Sequence, residues 1–150
     1  MELEGTVALV TGGGTGIGRA TSLLLAREGA AVAVNYSRSE VEAEETAAEI
    51  RTTGGRALAV RADVSADSAV EAMVRRVVQE WGRLDILVNN AGTTFFVDHT
   101  DLDALTEAMW DRMLAVNLKG LFFCCRAAAR VMRREGSGRI VNVASVAGLT

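Results

Sequence analysis

The sequence predicts an α/β fold, a doubly wound parallel sheet in three α/β/α layers. Three observations predict it. Short, continuously apolar runs alternate with longer segments of helical periodicity, almost without a break. The apolar runs show no polar/apolar alternation, as befits strands buried on both faces. Four of the five helical segments stop on glycine, at Gly29, Gly54-Gly55, Gly82 and Gly136, the residue that most readily ends a helix.

The elements follow in order. Residues 6–10 are the first strand, and glycines follow them. Residues 19–28 carry Ala20, Leu23 and Leu24 at helical spacing. Residues 31–36 are the second strand. Ser39 is placed to cap a helix over 40–53. Residues 56–61 form the third strand, and Asp67 or Ser68 opens a helix that runs to Trp81. Residues 85–89 are the fourth strand, followed by a loop over 90–100. Residues 101–118 are helical, whole or broken, and 120–135 form a long apolar helix. Residues 139–143 are the fifth strand and 144–150 the loop after it. Five strands with helices between them imply parallel pairing and right-handed crossovers. There is no linker or repeat, so residues 1–150 are expected to be one domain or part of one.

Bulk properties exclude several classes. The 150 residues are 49% hydrophobic and 23% charged, with a formal net charge of -3, so no basic face for nucleic acid is expected. No apolar run reaches the roughly 18 residues of a membrane span. Met1-Glu2-Leu3-Glu4 does not read as a secretory signal. Cys124 and Cys125 are adjacent, a poor spacing for a disulfide, and are expected to be buried thiols in the cytoplasm. His99 is the only histidine, so no zinc set or other metal site is expected.

Thr11-Gly12-Gly13-Gly14-Thr15-Gly16-Ile17-Gly18 lies between the first strand and the first helix. There, a dinucleotide pyrophosphate can dock on a helix N-terminus, with glycines letting the backbone approach. The spacing is Thr-Gly-x-x-x-Gly-x-Gly, because Ile17 stands where a strict Gly-x-Gly-x-x-Gly needs its last glycine. No Gly-Lys-Ser/Thr follows, so it is not a P-loop. Four further stretches lie in step with the elements. Asp63-Val64 follows strand three and Asn89-Asn90-Ala91-Gly92 ends strand four. Asn117 sits in Val116-Asn117-Leu118-Lys119-Gly120, and Ser145 ends Asn142-Val143-Ala144-Ser145.

On these motifs the whole chain resembles the short-chain dehydrogenase/reductase family, nearest to 3-oxoacyl-[acyl-carrier-protein] reductases or glucose dehydrogenases. The resemblance implies a Rossmann-type fold binding a nicotinamide cofactor. It would be held by Thr11, Gly12, Gly14, Thr15, Gly16, Ile17 and Gly18, by Asp63 and Val64 beside the adenine, and by Asn89, Ala91 and Gly92. It implies hydride transfer between the nicotinamide and a small-molecule carbonyl or alcohol. Ser145 would bond the substrate oxygen, and Asn117 would hold a water in a proton relay. Plainer roles stay open: Asn90 and Gly92 as turn residues, Asp63 as a cap, Ser145 bonded to its loop. Phe122-Phe123 and the cysteines read as core, His99 as a solvated loop residue, and Trp81 and Trp110 as packing against the sheet or a partner helix.

At the end of strand two, Tyr36, Ser37 and Arg38 would face the adenosine ribose. An acid there favours NAD(H), but none occurs until Glu40, and Ser37 with Arg38 could grip a 2′-phosphate. NADP(H) is therefore preferred to NAD(H). Thr15 pulls the other way, standing where many NADP-type members carry a basic residue. Arg19 either contributes or faces solvent.

The family's Tyr-x-x-x-Lys, its proton donor, is not among these residues, and Tyr36 has Glu40 rather than lysine four positions on. The expectation is the N-terminal part of a longer enzyme, with the C-terminal part of the fold absent. These residues alone would be inactive, with strand five at or near an open sheet edge. The alternative is a non-catalytic NAD(P)-binding redox sensor or regulatory subunit. A methyltransferase fits less well, lacking any role for the Asn-Asn-Ala-Gly and serine. The family resemblance also implies a homo-oligomer, often a tetramer, for the complete protein. The broad apolar face of 120–134 (Leu121, Phe122, Cys125, Ala128, Ala129, Met132) is expected to serve both sheet and partner.

Overall fold

A computed structural model describes residues 1–98 and 100–145. Five strands, β1 (Val7–Val10), β2 (Ala31–Tyr36), β3 (Ala57–Arg61), β4 (Ile86–Asn89) and β5 (Arg139–Asn142), form one sheet. Its order is β3-β2-β1-β4-β5, with every neighbouring pair parallel. The helices are α1 (Gly16–Arg27), α2 (Glu40–Thr52), α3 (Asp67–Trp81), α4 (Glu107–Leu114) and α5 (Leu121–Glu135). The chain builds outward from β1 to β3, then crosses back to place β4 on the other side of β1. That reversal opens a crevice beyond the carboxyl ends of β1 and β4, where ligands of such sheets bind.

Strand side chains alternate between the two helical layers. Val7 and Leu9 join Val70, Met73 and Val77 of α3 and Cys124, Ala127 and Ala128 of α5 in one core. Ala8 and Val10 join Val32, Val34 and the α2 residues Ala43, Ala47 and Ile50 in the other, with Leu23 of α1 packed against it. β5 lies at one edge, and its Val141 is 50% exposed.

Asp85, just before β4, fastens the bottom of the sheet. Its Oδ2 accepts from the Val7 amide at 2.9 Å and from Arg83 Nε at 2.8 Å, while Oδ1 accepts from Arg83 Nη2 at 2.7 Å. Burial alone would raise this carboxyl. The Arg83 fork and the Val7 N–H outweigh burial and hold it below the usual carboxylate range.

Four expectations are corrected. α1 begins at Gly16, not at residue 19, because Thr15 is the last extended residue (φ −138°, ψ 159°) and the end of the glycine loop is already helical. The Ser39 side chain does not cap α2. It sits at φ −84°, ψ 63°, with the Glu40 N–H donating to the Arg38 carbonyl at 3.0 Å, an inverse γ-turn. Of the two readings of residues 101–118 the broken one holds: a 3₁₀ turn (Leu102–Ala104), α4 capped by the Thr106 hydroxyl, and a π-helical turn (Ala115–Gly120). Phe122 is not core, being 54% exposed, and Trp110 is exposed to the same extent. The Arg126 guanidinium lies 5.3 Å from the Phe122 ring centre and 5.4 Å from that of Phe123. Cys124 is buried, which pushes its thiol up to about 12, whereas Cys125 is only half-buried. Trp81 packs against the first core, and His99 lies outside the described residues.

Candidate functional site

The glycine loop occupies the predicted crevice. Gly12 and Gly16 adopt φ of +61° and +50°, conformations that side chains disfavour. Gly18 is required for space instead. A Cβ there would run into the Gly12 carbonyl oxygen and lie 2.5 Å from Asn90 Nδ2. The start of α1 is therefore pressed against the loop that feeds it. Thr15 makes no side-chain cap bond, which leaves first-turn amides of α1 available to an anion.

The loop is stapled to the turn after β4. Thr11 Oγ1 accepts from the Asn90 and Ala91 amides, both at 3.0 Å. Asn90 Nδ2 returns bonds to the carbonyls of Thr11 (3.0 Å) and Gly12 (3.2 Å). On the other side, Asn35 Oδ1 accepts from the Gly12 amide at 3.3 Å, and its Nδ2 donates to the carbonyls of Val60 and Ala62. Asn35 and Asn90 were not among the residues expected to bind cofactor. Their signal is position: an asparagine at the end of a buried strand needs backbone partners, and a neighbouring loop supplies them.

A cleft of about 340 Å³ starts at Gly12, Gly14 and Thr15. It passes Tyr36, Ser37, Arg38 and Ser39, then Asp63 and Val64, and reaches Ala91, Gly92 and Thr93, with Arg112 in its wall. The expected residues thus fall into groups. Gly12, Gly14, Thr15, Tyr36, Ser37, Arg38, Asp63, Val64, Ala91 and Gly92 line the cleft. Thr11 is buried beneath it, and Gly16, Ile17 and Gly18 form the first turn of α1 beside it. Asn89 points elsewhere: it is buried, its Nδ2 donating to Asn142 Oδ1 at 2.9 Å and lying 3.2 Å from Cys125 Sγ.

Asn117 lies within the π-helical turn, a distortion common at functional sites. Its Oδ1 accepts from the Thr93 N–H and its Nδ2 donates to the Thr93 carbonyl, both at 2.8 Å. That paired bond fixes the loop after β4 where it meets the cleft. Ser145 follows β5 at the same carboxyl edge of the sheet and is exposed.

Charge in the cleft is unevenly balanced. Asp63 Oδ2 pairs with Arg112 Nη2 at 3.0 Å, and Oδ1 accepts from the Ser65 N–H and hydroxyl. Burial works to raise the Asp63 carboxyl. The Ser65 bonds and the Arg112 charge outweigh it and bring it below the usual range. Tyr36 donates to Glu40 Oε1 at 3.0 Å, and burial and that carboxylate push its phenol upward. Arg19 pairs with Glu49 on α2, away from the cleft lining. Among the described residues, Arg38 is thus the cleft cation with no ion-pair partner.

The residues fit a dinucleotide. The loop leaves no room for a side chain at Gly18, the α1 amides lack a cap, and the cleft extends to both sides of the switch point. Among the described residues no cluster of three or more His, Cys, Asp or Glu is arranged for a metal, and no helix is long and apolar enough to cross a membrane.

Fold and cleft together define a doubly wound α/β protein whose cleft fits a dinucleotide. Residues 6–150 match the family model for short chain dehydrogenase, and the chain belongs to that family. It is 42% identical over 147 residues to a 3-oxoacyl-[acyl-carrier-protein] reductase of Synechocystis, covering 98% of this chain and 58% of that protein. It is 54% identical over 107 residues to a short-chain dehydrogenase/reductase homolog of Bacillus subtilis, covering 71% of this chain and 98% of the homolog. A mutant short-chain dehydrogenase/reductase of Serratia marcescens superposes with a TM-score of 0.87 at 43% identity, over 97% of this chain and 57% of that one. The chain therefore spans little more than half of the Synechocystis and Serratia proteins.

Proposed function

We propose that residues 1–150 are the N-terminal, dinucleotide-binding part of an NADP(H)-dependent reductase, with a 3-oxoacyl thioester or similar ketone as substrate. The cofactor supplies or accepts the hydride; the chain's own residues bind and orient. The α1 amides and the glycine loop take the pyrophosphate. Asp63 and Val64 flank the adenine, and Ala91 and Gly92 flank the second ribose. Ser145 donates a hydrogen bond to the substrate carbonyl oxygen and polarises it. Asn117, anchored to Thr93, keeps the loop in place and positions a water for proton transfer. Tyr36, the only tyrosine in the sequence, lines the cleft with Ser37 and Arg38 and is assigned to the adenosine end, not to proton donation. The relatives that are reductases lend a non-catalytic sensor no support.

One observation carries the choice of NADP(H). Among the described residues Arg38 has no ion-pair partner; it stands in the cleft beside Ser37 and Ser39, and none of them lines that stretch with a carboxylate. A 2′-phosphate would meet a free guanidinium and two hydroxyls. The test is Arg38→Ala, with NADPH and NADH affinities measured side by side. Loss of a charge-assisted contact worth about 2 kcal/mol lowers NADPH affinity roughly 30-fold, while NADH binding barely changes. A wild-type protein that prefers NADH, or a variant that loses both cofactors equally, contradicts the assignment.

Oligomerisation follows from a second surface. Trp110, Leu114, Leu118 and Phe122, four apart along α4, the π-helical turn and α5, are 46–62% exposed. This row, which shares Phe122 with the face expected over 120–134, is the apolar surface offered to a second copy, whereas Ala128 and Met132 of that face pack into the core. Leu118→Glu is expected to convert an oligomer into monomers in analytical ultracentrifugation. An unchanged sedimentation coefficient would refute it. A cytoplasmic location completes the proposal.

A further inference from the structure

We propose that Arg112 is a positioning residue for the cofactor, setting through Asp63 and Ser65 the wall against which the adenine docks; this rests on the dinucleotide reading above. Asp63 stands at the exit of β3, where the chain turns toward α3, and lines the cleft. A lone carboxylate on such a turn has several rotamers and a full hydration shell. Here it has neither freedom. The Ser65 amide and hydroxyl hold Oδ1 at 3.0 and 2.6 Å, and Arg112 Nη2 holds Oδ2 at 3.0 Å. Arg112 closes the circuit by donating from Nη1 to Ser65 Oγ at 2.8 Å. Two different nitrogens of one planar guanidinium are used, a geometry that an ammonium cannot reproduce.

The other end of the clasp is equally informative. α4 has no fully buried residue, so it is not seated by a core side chain of its own. Arg112 reaches from it across the cleft wall to the β3 turn, and is itself part of that wall. The clasp therefore joins α4, which leads into the π-helical turn with Asn117, to the adenine side of the cleft. Oδ2 accepts a single bond here, leaving a lone pair for an exocyclic amine. Neutralising Asp63 also keeps the cleft from repelling the phosphates nearby.

The test uses adenosine diphosphate, the half shared by NAD(H) and NADP(H), titrated calorimetrically into wild type, Arg112→Met, Arg112→Lys, Asp63→Asn and the Asp63→Asn/Arg112→Met double variant. NADPH is titrated alongside. With Arg112→Met the affinity for adenosine diphosphate is expected to fall about 30-fold, the size of one charge-assisted contact. Lysine, keeping the charge but one of the two bonds, recovers about half of that loss on a logarithmic scale. In the Asp63→Asn background Arg112→Met costs little more, because its target is gone. A purely structural role would lower the melting temperature without this pattern of rescue and non-additivity. Wild-type affinity in Arg112→Met, or an undiminished loss in the Asp63→Asn background, overturns the proposal. A wild-type protein that binds neither adenosine diphosphate nor NADPH instead overturns the dinucleotide reading on which it rests.

Discussion

Gly18→Ala is expected to abolish useful cofactor binding. The added methyl has nowhere to go: the Gly12 carbonyl oxygen and Asn90 Nδ2 already occupy its space, and both belong to backbone or to a side chain bonded twice. The start of α1 must move off the loop. That breaks the Asn90 staple and withdraws the helix N-terminus from the phosphates. Losing about 2 kcal/mol of dipole interaction together with one amide bond to a charged oxygen corresponds to at least roughly 100-fold in affinity. The fold itself loses about 2 kcal/mol from overpacking. Gly16→Ala is the informative contrast. Its Cβ would meet nothing within 4 Å, and only its φ of +50° is unfavourable, so a cost of about 1 kcal/mol is expected. Fluorescence titration with NADPH and urea denaturation of both variants check this. Equal affinity in Gly18→Ala and wild type would show that the close approach of loop and helix is not needed.

Asp85→Ala is expected to destabilise the fold by about 3 kcal/mol. It strands the Val7 amide, buried in the first strand of the sheet, and releases the Arg83 fork. Asp85→Asn keeps an acceptor for Val7 and is expected to cost about 1 kcal/mol. The pH dependence distinguishes the ionic part. The folded-state carboxyl lies below the usual range, so its contribution is complete above the ordinary carboxylate pKa of about 4 and is lost as pH falls through the folded value. Wild type should therefore lose stability toward pH 3 more steeply than Asp85→Asn. Denaturant midpoints that stay a constant distance apart from pH 7 to pH 3 would remove the ion pair from the account.

Much of the fold was legible because it rests on local signals. Continuous apolar runs gave the strands, and glycines at Gly82 and Gly136, both in the left-handed conformation, stopped α3 and α5 where the pattern ended. The glycine loop was legible as a chemical unit for the same reason. Contacts between distant segments were not. Nothing near Arg112 in the sequence points to Asp63, and the pair exists only because α4 crosses the β3 exit. Asn89 and Asn90 are a further case. Asn89 ends β4 and Asn90 stands just beyond it. Only the register of β4 between β1 and β5 decides that Asn90 staples the loop while Asn89 ties β4 to β5. The π-helical turn along which the exposed row from Trp110 to Phe122 runs was not legible either.

The central claim is that a nicotinamide dinucleotide lies across the switch point with its pyrophosphate on the first turn of α1. Amide chemical shifts followed by two-dimensional NMR during titration with NADP⁺ test it most directly. Saturable shifts are expected at Gly12, Gly14, Gly16, Ile17 and Gly18, at Ser37 to Ser39, and at Ala91 to Thr93, with the α3 and α5 amides unmoved. Binding that leaves the glycine-loop amides in place, or no binding at millimolar NADP⁺, would contradict the account.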